Sequence, residues 1–324
     1  MHKPSDRLNR LAESATLAMA RMSRELKASG KDVIALSLGE PDFNTPEFIK
    51  KAGKDAINNN FTHYTPVAGL DDLRESISNK FFRDNKLKYS KDQIVVSTGA
   101  KQSLANICLS LLNPGDEVLL PCPFWVSYSE IIKLAEGVPV KIPSSVDNNF
   151  KVSPEQIKNS ITKNTRMFMF SSPCNPSGSV YTKNELEQIA EIFKKHPKIY
   201  IVSDEIYEHI NFTNEHYSIG RIESIKDRVI TVNGVSKGFA MTGWRVGFIG
   251  APLWIAKACN KIQGQITSAT CAIAQKATEE AMRSDPKKTT LKMKEKFLSR
   301  RDMLLKELNN IKGIKCNIPE GAFY

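Results

Sequence analysis

A chain of 324 residues, 41% hydrophobic and 25% charged with a formal net charge of +11, has the composition of a soluble globular protein and the length for one large α/β domain plus part of another. It contains no run long and apolar enough to be a membrane-crossing helix. The positive charge raises nucleic-acid binding as a function, but the lysines and arginines are strewn over helical surfaces rather than gathered in one stripe with stacking aromatics, the pattern of a solvated basic surface.

In chain order, residues 1–26 mix Arg7, Arg10, Arg21 and Arg24 with Asp6, Glu13 and Glu25. They lack the uninterrupted apolar core of a signal peptide and predict an arm and a helix. Apolar strand-like runs follow at 93–97, 117–120, 166–170, 199–202 and 228–232, and between the first two Leu104, Ile107, Cys108 and Leu111 stand at the spacing of one helix face. Near-continuous apolar strands alternating with helices predict an α/β fold, its mostly parallel central sheet flanked by helices. Residues 282–315 are lysine-rich and helical in pattern, ending near Asn309 and Gly313. Cys108, Cys122, Cys174, Cys259, Cys271 and Cys316 form no Cys-x-x-Cys pair and read as reduced, mostly packed thiols of a cytoplasmic protein. Five scattered histidines have no metal-ligand spacing, so no metal is expected.

The chemistry-bearing residues sit in loops after the apolar runs. Lys237 lies in Val235-Ser236-Lys237-Gly238, just past a buried strand pattern, with Thr242-Gly243-Trp244-Arg245 following. Upstream are Ser172-Pro173-Cys174-Asn175-Pro176-Ser177-Gly178 and Asp204-Glu205-Ile206-Tyr207. Singly, each has an ordinary explanation: a solvated lysine, a cap, a surface ion pair. In this order they fit a pyridoxal phosphate (PLP) site. A lysine amine condenses with the coenzyme aldehyde and, once freed by substrate, moves protons. An anion is needed beside the pyridine nitrogen, and Asp204 supplies it; a contacting carboxylate moves a pKa by roughly 1–3 units. Tyr207 and Asn175 donate to the ring's phenolic oxygen. Arg245 offers a planar fork to phosphate oxygens. Each of these residues is expected just after the carboxyl end of a strand, where open α/β sheets bind ligands. Gly99-Ala100-Lys101 also suggests a P-loop, but the required glycine spacing is missing.

These motifs, with Ala15-Thr16-Leu17-Ala18, Leu38-Gly39-Glu40-Pro41-Asp42-Phe43, Tyr64-Thr65-Pro66-Val67-Ala68-Gly69-Leu70 and Pro123-Phe124-Trp125-Val126-Ser127-Tyr128, resemble the class I aminotransferases of PLP fold type I. More narrowly, they are similar to the bacterial aspartate and aspartate/prephenate branch. The resemblance implies transamination of aspartate with 2-oxoglutarate, and prephenate as another acceptor. It implies further roles: Trp125 stacks on the coenzyme ring, Gly99 and Ala100 give backbone N–H groups to the phosphate, and Ser236 joins them. Gly39 lies close to the substrate carboxylate, with Trp125 and Asn175 also touching substrate, and Lys101 meets its distal carboxylate. Tyr64 reaches the phosphate of a neighbouring subunit, implying a homodimer with shared sites. Pro123 and Pro176 fall where relatives hold cis bonds. The implied divisions are an arm and helix (1–30), a small-domain segment (31–46), a large PLP-binding domain (47–285), and a connecting helix that starts an incomplete small α+β domain (286–324).

One departure stands out. The sequence stops at Pro319-Glu320-Gly321-Ala322-Phe323-Tyr324, where relatives continue, and the arginine that fixes the substrate α-carboxylate belongs to the later segment. Arg283, Arg300 and Arg301 precede that motif. Either the sequence is a piece of a longer protein or the product is a shortened relic that holds PLP but transaminates poorly; the expectation for this chain in isolation is the second. A fold type I β-lyase shares the lysine and aspartate and stays an alternative.

Overall fold

The computed structural model describes residues 3–36, 38–213 and 215–324, so the first two residues of the N-terminal arm lie outside it. Among the described residues, seven strands form one sheet: β1 (Ile94–Ser97), β2 (Glu117–Pro121), β3 (Val138–Ile142), β4 (Thr165–Ser171), β5 (Tyr200–Asp204), β6 (Val229–Gly234) and β7 (Gly247–Gly250). Their order is β1-β7-β6-β5-β4-β2-β3. β3, β2, β4, β5 and β6 run parallel, whereas β7 is antiparallel to both neighbours, β6 and β1. Two reversals leave β1 pointing the same way as β6. Helices are α1 (Asp6–Asn9), α2 (Ala15–Ala28), α3 (Glu47–Asn58), α4 (Asp71–Lys80), α5 (Ala100–Leu111), α6 (Ser127–Leu134), α7 (Pro154–Ser160), α8 (Lys183–Lys194), α9 (Leu253–Ile266), α10 (Ala272–Arg283) and α11 (Pro286–Asn309). Among the described residues, no helix is long and apolar enough to cross a membrane.

Alternation along the strands sends side chains into two layers. Val118, Leu120, Met167 and Met169 pack with Leu104, Ile107 and Leu111 of α5 on one face. Leu119, Phe168 and Phe170 pack with Leu186, Ile189 and Phe193 of α8 on the other. Ile94, Val96 and Phe248 pack on that second face with Leu73 and Ile77 of α4 and Ala277 and Ala281 of α10. Both faces are covered, which is why the strands are apolar on both sides and legible as continuous runs.

Two strands escape that signal. β3 reads Val-Pro-Val-Lys-Ile, interrupted by Pro139 and Lys141 because it is an edge strand. β7 has only Phe248 and Ile249 between two glycines. Those glycines are required by close approach: a Cβ on Gly247 would lie 2.2 Å from the Ala100 nitrogen, and one on Gly250 would lie 2.4 Å from the Tyr89 ring. The first contact lets the N-terminus of α5 press against the sheet beside the site.

At the two ends of the chain, short contacts bring further segments to the same rim. Arg10 pairs with Glu136 at 2.7 Å, and the Ala12 N–H donates to Glu130 Oε2 at 2.8 Å, tying the arm to the α6 region. The Phe212 N–H donates to the Glu320 carbonyl and the Ala322 N–H to the Ile210 carbonyl, both at 2.7 Å, steering Tyr324 inward.

Gly247→Ala is expected to lower the unfolding free energy by about 1–3 kcal/mol through overpacking against the start of α5, measured by chemical denaturation. Gly243→Ala, with open space at the Cβ position, serves as the control that stays near wild type.

Candidate active site

The carboxyl ends of β1, β2, β4, β5 and β6 open on one cavity of about 470 Å³. Gly39, Ala100, Lys101, Trp125, Asn175, Asp204, Tyr207, Ser236, Lys237 and Arg245 all line it. Arg245 arrives differently from the rest. It precedes β7 rather than following a strand, and reaches the same rim because β7 runs the opposite way. The loops after β2 and β4 carry cis bonds at Cys122–Pro123, Ser172–Pro173 and Asn175–Pro176.

Lys237 follows β6 by three residues. Its Nζ donates to the Gly39 carbonyl at 2.6 Å. Burial pulls its ammonium down to about 8, with the Arg245 charge adding to the effect and Glu40 and Asp204 opposing it. An appreciable fraction of neutral amine is therefore present near neutral pH, the condition for a nucleophile and a proton carrier.

Asp204 ends β5 and is 3% exposed. Burial pushes its carboxyl up to about 6, partly offset by hydrogen bonds from Tyr128 and from the Ile206 N–H. The Tyr128 hydroxyl donates to Oδ2 at 2.7 Å and the Ile206 N–H to Oδ1 at 3.2 Å. A cationic N–H beside this group would favour its ionised form. Three residues on, Tyr207 stands with its hydroxyl 2.8 Å from that of Tyr324 and accepts from Asn175 Nδ2 at 3.4 Å. Burial, with Tyr324 beside it, pushes the Tyr207 phenol well above its ordinary range.

The opposite end of the cavity is electropositive. Gly99 caps α5 with φ +82°, a conformation that favours glycine, and the Arg245 guanidinium lies against it, Nη2 within 2.4 Å of where a Cβ would stand. The first N–H groups of α5 and the Arg245 guanidinium thus converge, the combination that holds a phosphate. Arg245 itself adopts φ +56° and donates from Nη1 to the Thr242 carbonyl at 2.8 Å. The Lys101 ammonium lies 4.9 Å from the centre of the Trp125 ring, and burial pulls its pKa down.

Other residues stand where sequence gave no warning or outside the cavity. Tyr128 and Tyr324 carry no motif that announces their contacts; the one polar signal is that a buried tyrosine needs a partner. Ser14, Thr16 and Leu17 of the arm line the mouth. Tyr64 is fully exposed and does not line the cavity. Arg300 makes a bidentate pair with Asp42 at 2.7 and 2.8 Å, Arg301 binds Asp302 and the Pro319 carbonyl, and Arg283 pairs with Glu279. Among the described residues, Arg245 is the only arginine lining the cavity.

Residues 31–324 match the family Aminotransferase class I and II. The chain is 45% identical over 322 residues to an aspartate/prephenate aminotransferase of Cereibacter sphaeroides, covering 99% of this chain and 80% of that protein. It is also 45% identical over 323 residues to a bifunctional aspartate aminotransferase and glutamate/aspartate-prephenate aminotransferase of Petunia hybrida, covering 99% of this chain and 67% of that one. Among solved structures, an aspartate aminotransferase from Rhizobium meliloti superposes with a TM-score of 0.96 at 39% identity, covering 99% of this chain and 81% of that one. A Thermus thermophilus aspartate aminotransferase with maleate gives 0.94 at 39% identity, covering 99% and 84%.

Both buried groups destabilise the ligand-free fold, in opposite pH windows. The Asp204 carboxyl is raised from 3.8 to about 6, so its penalty is absent below 3.8, grows as the pH rises, and is complete above about 6, where it amounts to at most about 3 kcal/mol. Lys237 is lowered from 10.5 to about 8, so its penalty is complete below about 8 and is relieved toward 10.5. At pH 7, ligand-free Asp204→Asn and Lys237→Met are each expected to melt higher than wild type by calorimetry. The Asp204→Asn advantage disappears below pH 4, and the Lys237→Met advantage shrinks above pH 9.

Proposed function

The chain belongs to the class I and II aminotransferases, and from that premise we propose that it moves the amino group of aspartate to a 2-oxo acid, 2-oxoglutarate or prephenate, with pyridoxal 5′-phosphate as its coenzyme. The observation that carries this reading is one cavity holding a half-buried amine, a buried carboxyl, and an arginine beside a helix N-terminus. That donor set fits the coenzyme group by group. Lys237 suits the aldehyde, Asp204 the ring nitrogen, Tyr207 and Asn175 the ring oxygen, Trp125 the ring face, and Gly99, Ala100, Ser236 and Arg245 the phosphate. Bound there, the coenzyme supplies an electron sink for the substrate α-carbon.

The protein's own work is positioning and proton transfer. Lys237, its amine partly neutral, is the group that would take a proton from the substrate α-carbon and hold it at Nζ for its return. Gly39 offers its carbonyl to steer that amine and, lacking a side chain, admits the Tyr324 hydroxyl, which lies 1.9 Å from where a Cβ would stand. Asp204 stays ionised against a protonated ring nitrogen, and Tyr128 fixes its orientation. Lys101, over the Trp125 ring, meets the distal carboxylate, which favours aspartate and glutamate over monocarboxylic amino acids. Full exposure of Tyr64 supports its service to a partner's phosphate in a homodimer, and residues 47–285 carry the reacting groups, with Gly39 reaching in from the preceding segment.

Adding PLP to the purified chain is expected to produce a visible absorbance band that Lys237→Ala abolishes and that aspartate bleaches, with oxaloacetate as product. Ammonia and pyruvate from a sulfur amino acid would instead identify a β-lyase. Lys101→Met is expected to weaken aspartate binding by about 10–100-fold, the worth of a charged hydrogen bond, without altering the band formed by coenzyme alone.

A further inference from the structure

The segment that follows β5 has two working faces. Asp204 and Tyr207 look into the cavity, while Glu205 and Glu208 look away from it into a buried polar cluster built on Lys80 and Asn85. Lys80 ends α4, is 1% exposed, and its Nζ donates to Asn85 Oδ1 at 2.6 Å while forming an ion pair with Glu208. Asp84 Oδ2 is 3.9 Å from the same ammonium. Asn85 closes a single π-helical turn, Phe81–Asn85, a local geometry that recurs at functional sites. Its Nδ2 spans the two glutamates, 2.6 Å from Glu208 Oε2 and 3.1 Å from Glu205 Oε2. Glu205 is further held by Ser203 at 3.0 Å, Ser218 at 2.6 Å and His216 at 2.9 Å.

This cluster touches both reacting groups through their immediate neighbours. Glu205 is bonded in sequence to Asp204. His209, whose Nε2 lies 3.3 Å from Glu208 Oε1, rests its ring against Gly238, where a Cβ would come within 2.9 Å of His209 Cδ2, and Gly238 is bonded to Lys237. Burial alone would push the Glu208 carboxyl up, but the Lys80 ammonium, with His209 and His216, holds it well below the usual carboxylate range. A buried ion pair contributes little to net stability compared with apolar packing, so stability gives it no evident purpose. Its position does.

We propose that Lys80 and Glu208 are a positioning pair for amino transfer, locking the β5 turn from behind and pressing His209 onto the β6 turn so that Asp204 and Lys237 stay at a fixed spacing. The inference rests on the reading of Lys237 and Asp204 as the reacting groups. Lys80→Met/Glu208→Gln removes both charges at near-constant volume and leaves a side chain able to accept from Asn85. In ligand-free protein, the pH dependence of Lys237 reductive methylation, followed by peptide mass spectrometry, is expected to have its midpoint near 8 in wild type. In the double variant it moves upward as water enters, slowing modification at pH 8 roughly fivefold for a one-unit rise, and PLP affinity measured from the visible band falls about tenfold. Unchanged midpoint and affinity, with only the melting temperature lowered, would overturn the proposal. Should the double variant not fold, Glu208→Gln alone, which breaks the ion pair but keeps a side chain able to accept from Lys80 and Asn85, is read by the same two measurements with the same outcomes. A wild-type chain that shows no PLP band would defeat the coenzyme assignment instead, and leaves the methylation comparison intact.

Discussion

Burial of two oppositely charged groups in one water-poor cavity is the constraint on which the rest of the site depends. The same loss of solvent moves Lys237 down and Asp204 up, so in the ligand-free protein each is drawn toward its neutral form. A ligand with a cationic edge for the carboxyl and an electrophilic carbon for the amine relieves both penalties at once. The site is therefore less stable empty than filled, and its ligand acts as part of the fold. The spacing that makes this work is set by the sheet: β5 and β6 are adjacent parallel strands with Asp204 opposite Val232, and Lys237 lies one short turn beyond.

Direction reversal at β7 completes the rim. Among parallel strands, only carboxyl ends can contribute to a given edge. By turning β7 around, the chain delivers Arg245 from an amino end to the same edge, next to the start of α5. The two glycines at this junction, Gly99 and Gly247, are the cost of bringing a helix, a guanidinium and a strand into mutual contact. Each would place a Cβ within 2.4 Å of another group.

Much of this was legible in the chain because the buried parallel strands are uniformly apolar and the reacting groups follow them in short polar loops. Lys237, Asp204, Tyr207 and Asn175 could be placed at the rim from that alternation alone, and the family resemblance added Gly99, Trp125 and Lys101. What stayed hidden depends on tertiary proximity. Tyr128 finds Asp204 from a helix 76 residues upstream. β7 is too short and glycine-rich to register as a strand. Lys80 has the sequence surroundings of a solvated helix-end lysine, and His209 and His216 lack any spacing that suggests association. Only the fold gathers them around Glu205 and Glu208. Polar residues inside a protein carry no periodic signature of their own, so a buried ionic cluster is the feature that pattern reading is least equipped to find.

The outermost strand, β3, carries a different kind of information. A strand at the border of a sheet exposes unpaired backbone groups that invite another molecule's strand to add on. Here Pro139 removes one donor from that border and Lys141 points an exposed charge from it, so stacking of one sheet onto the next would strand a carbonyl and bury an ammonium. The interruption that hides β3 from sequence inspection also discourages fibril-like self-association.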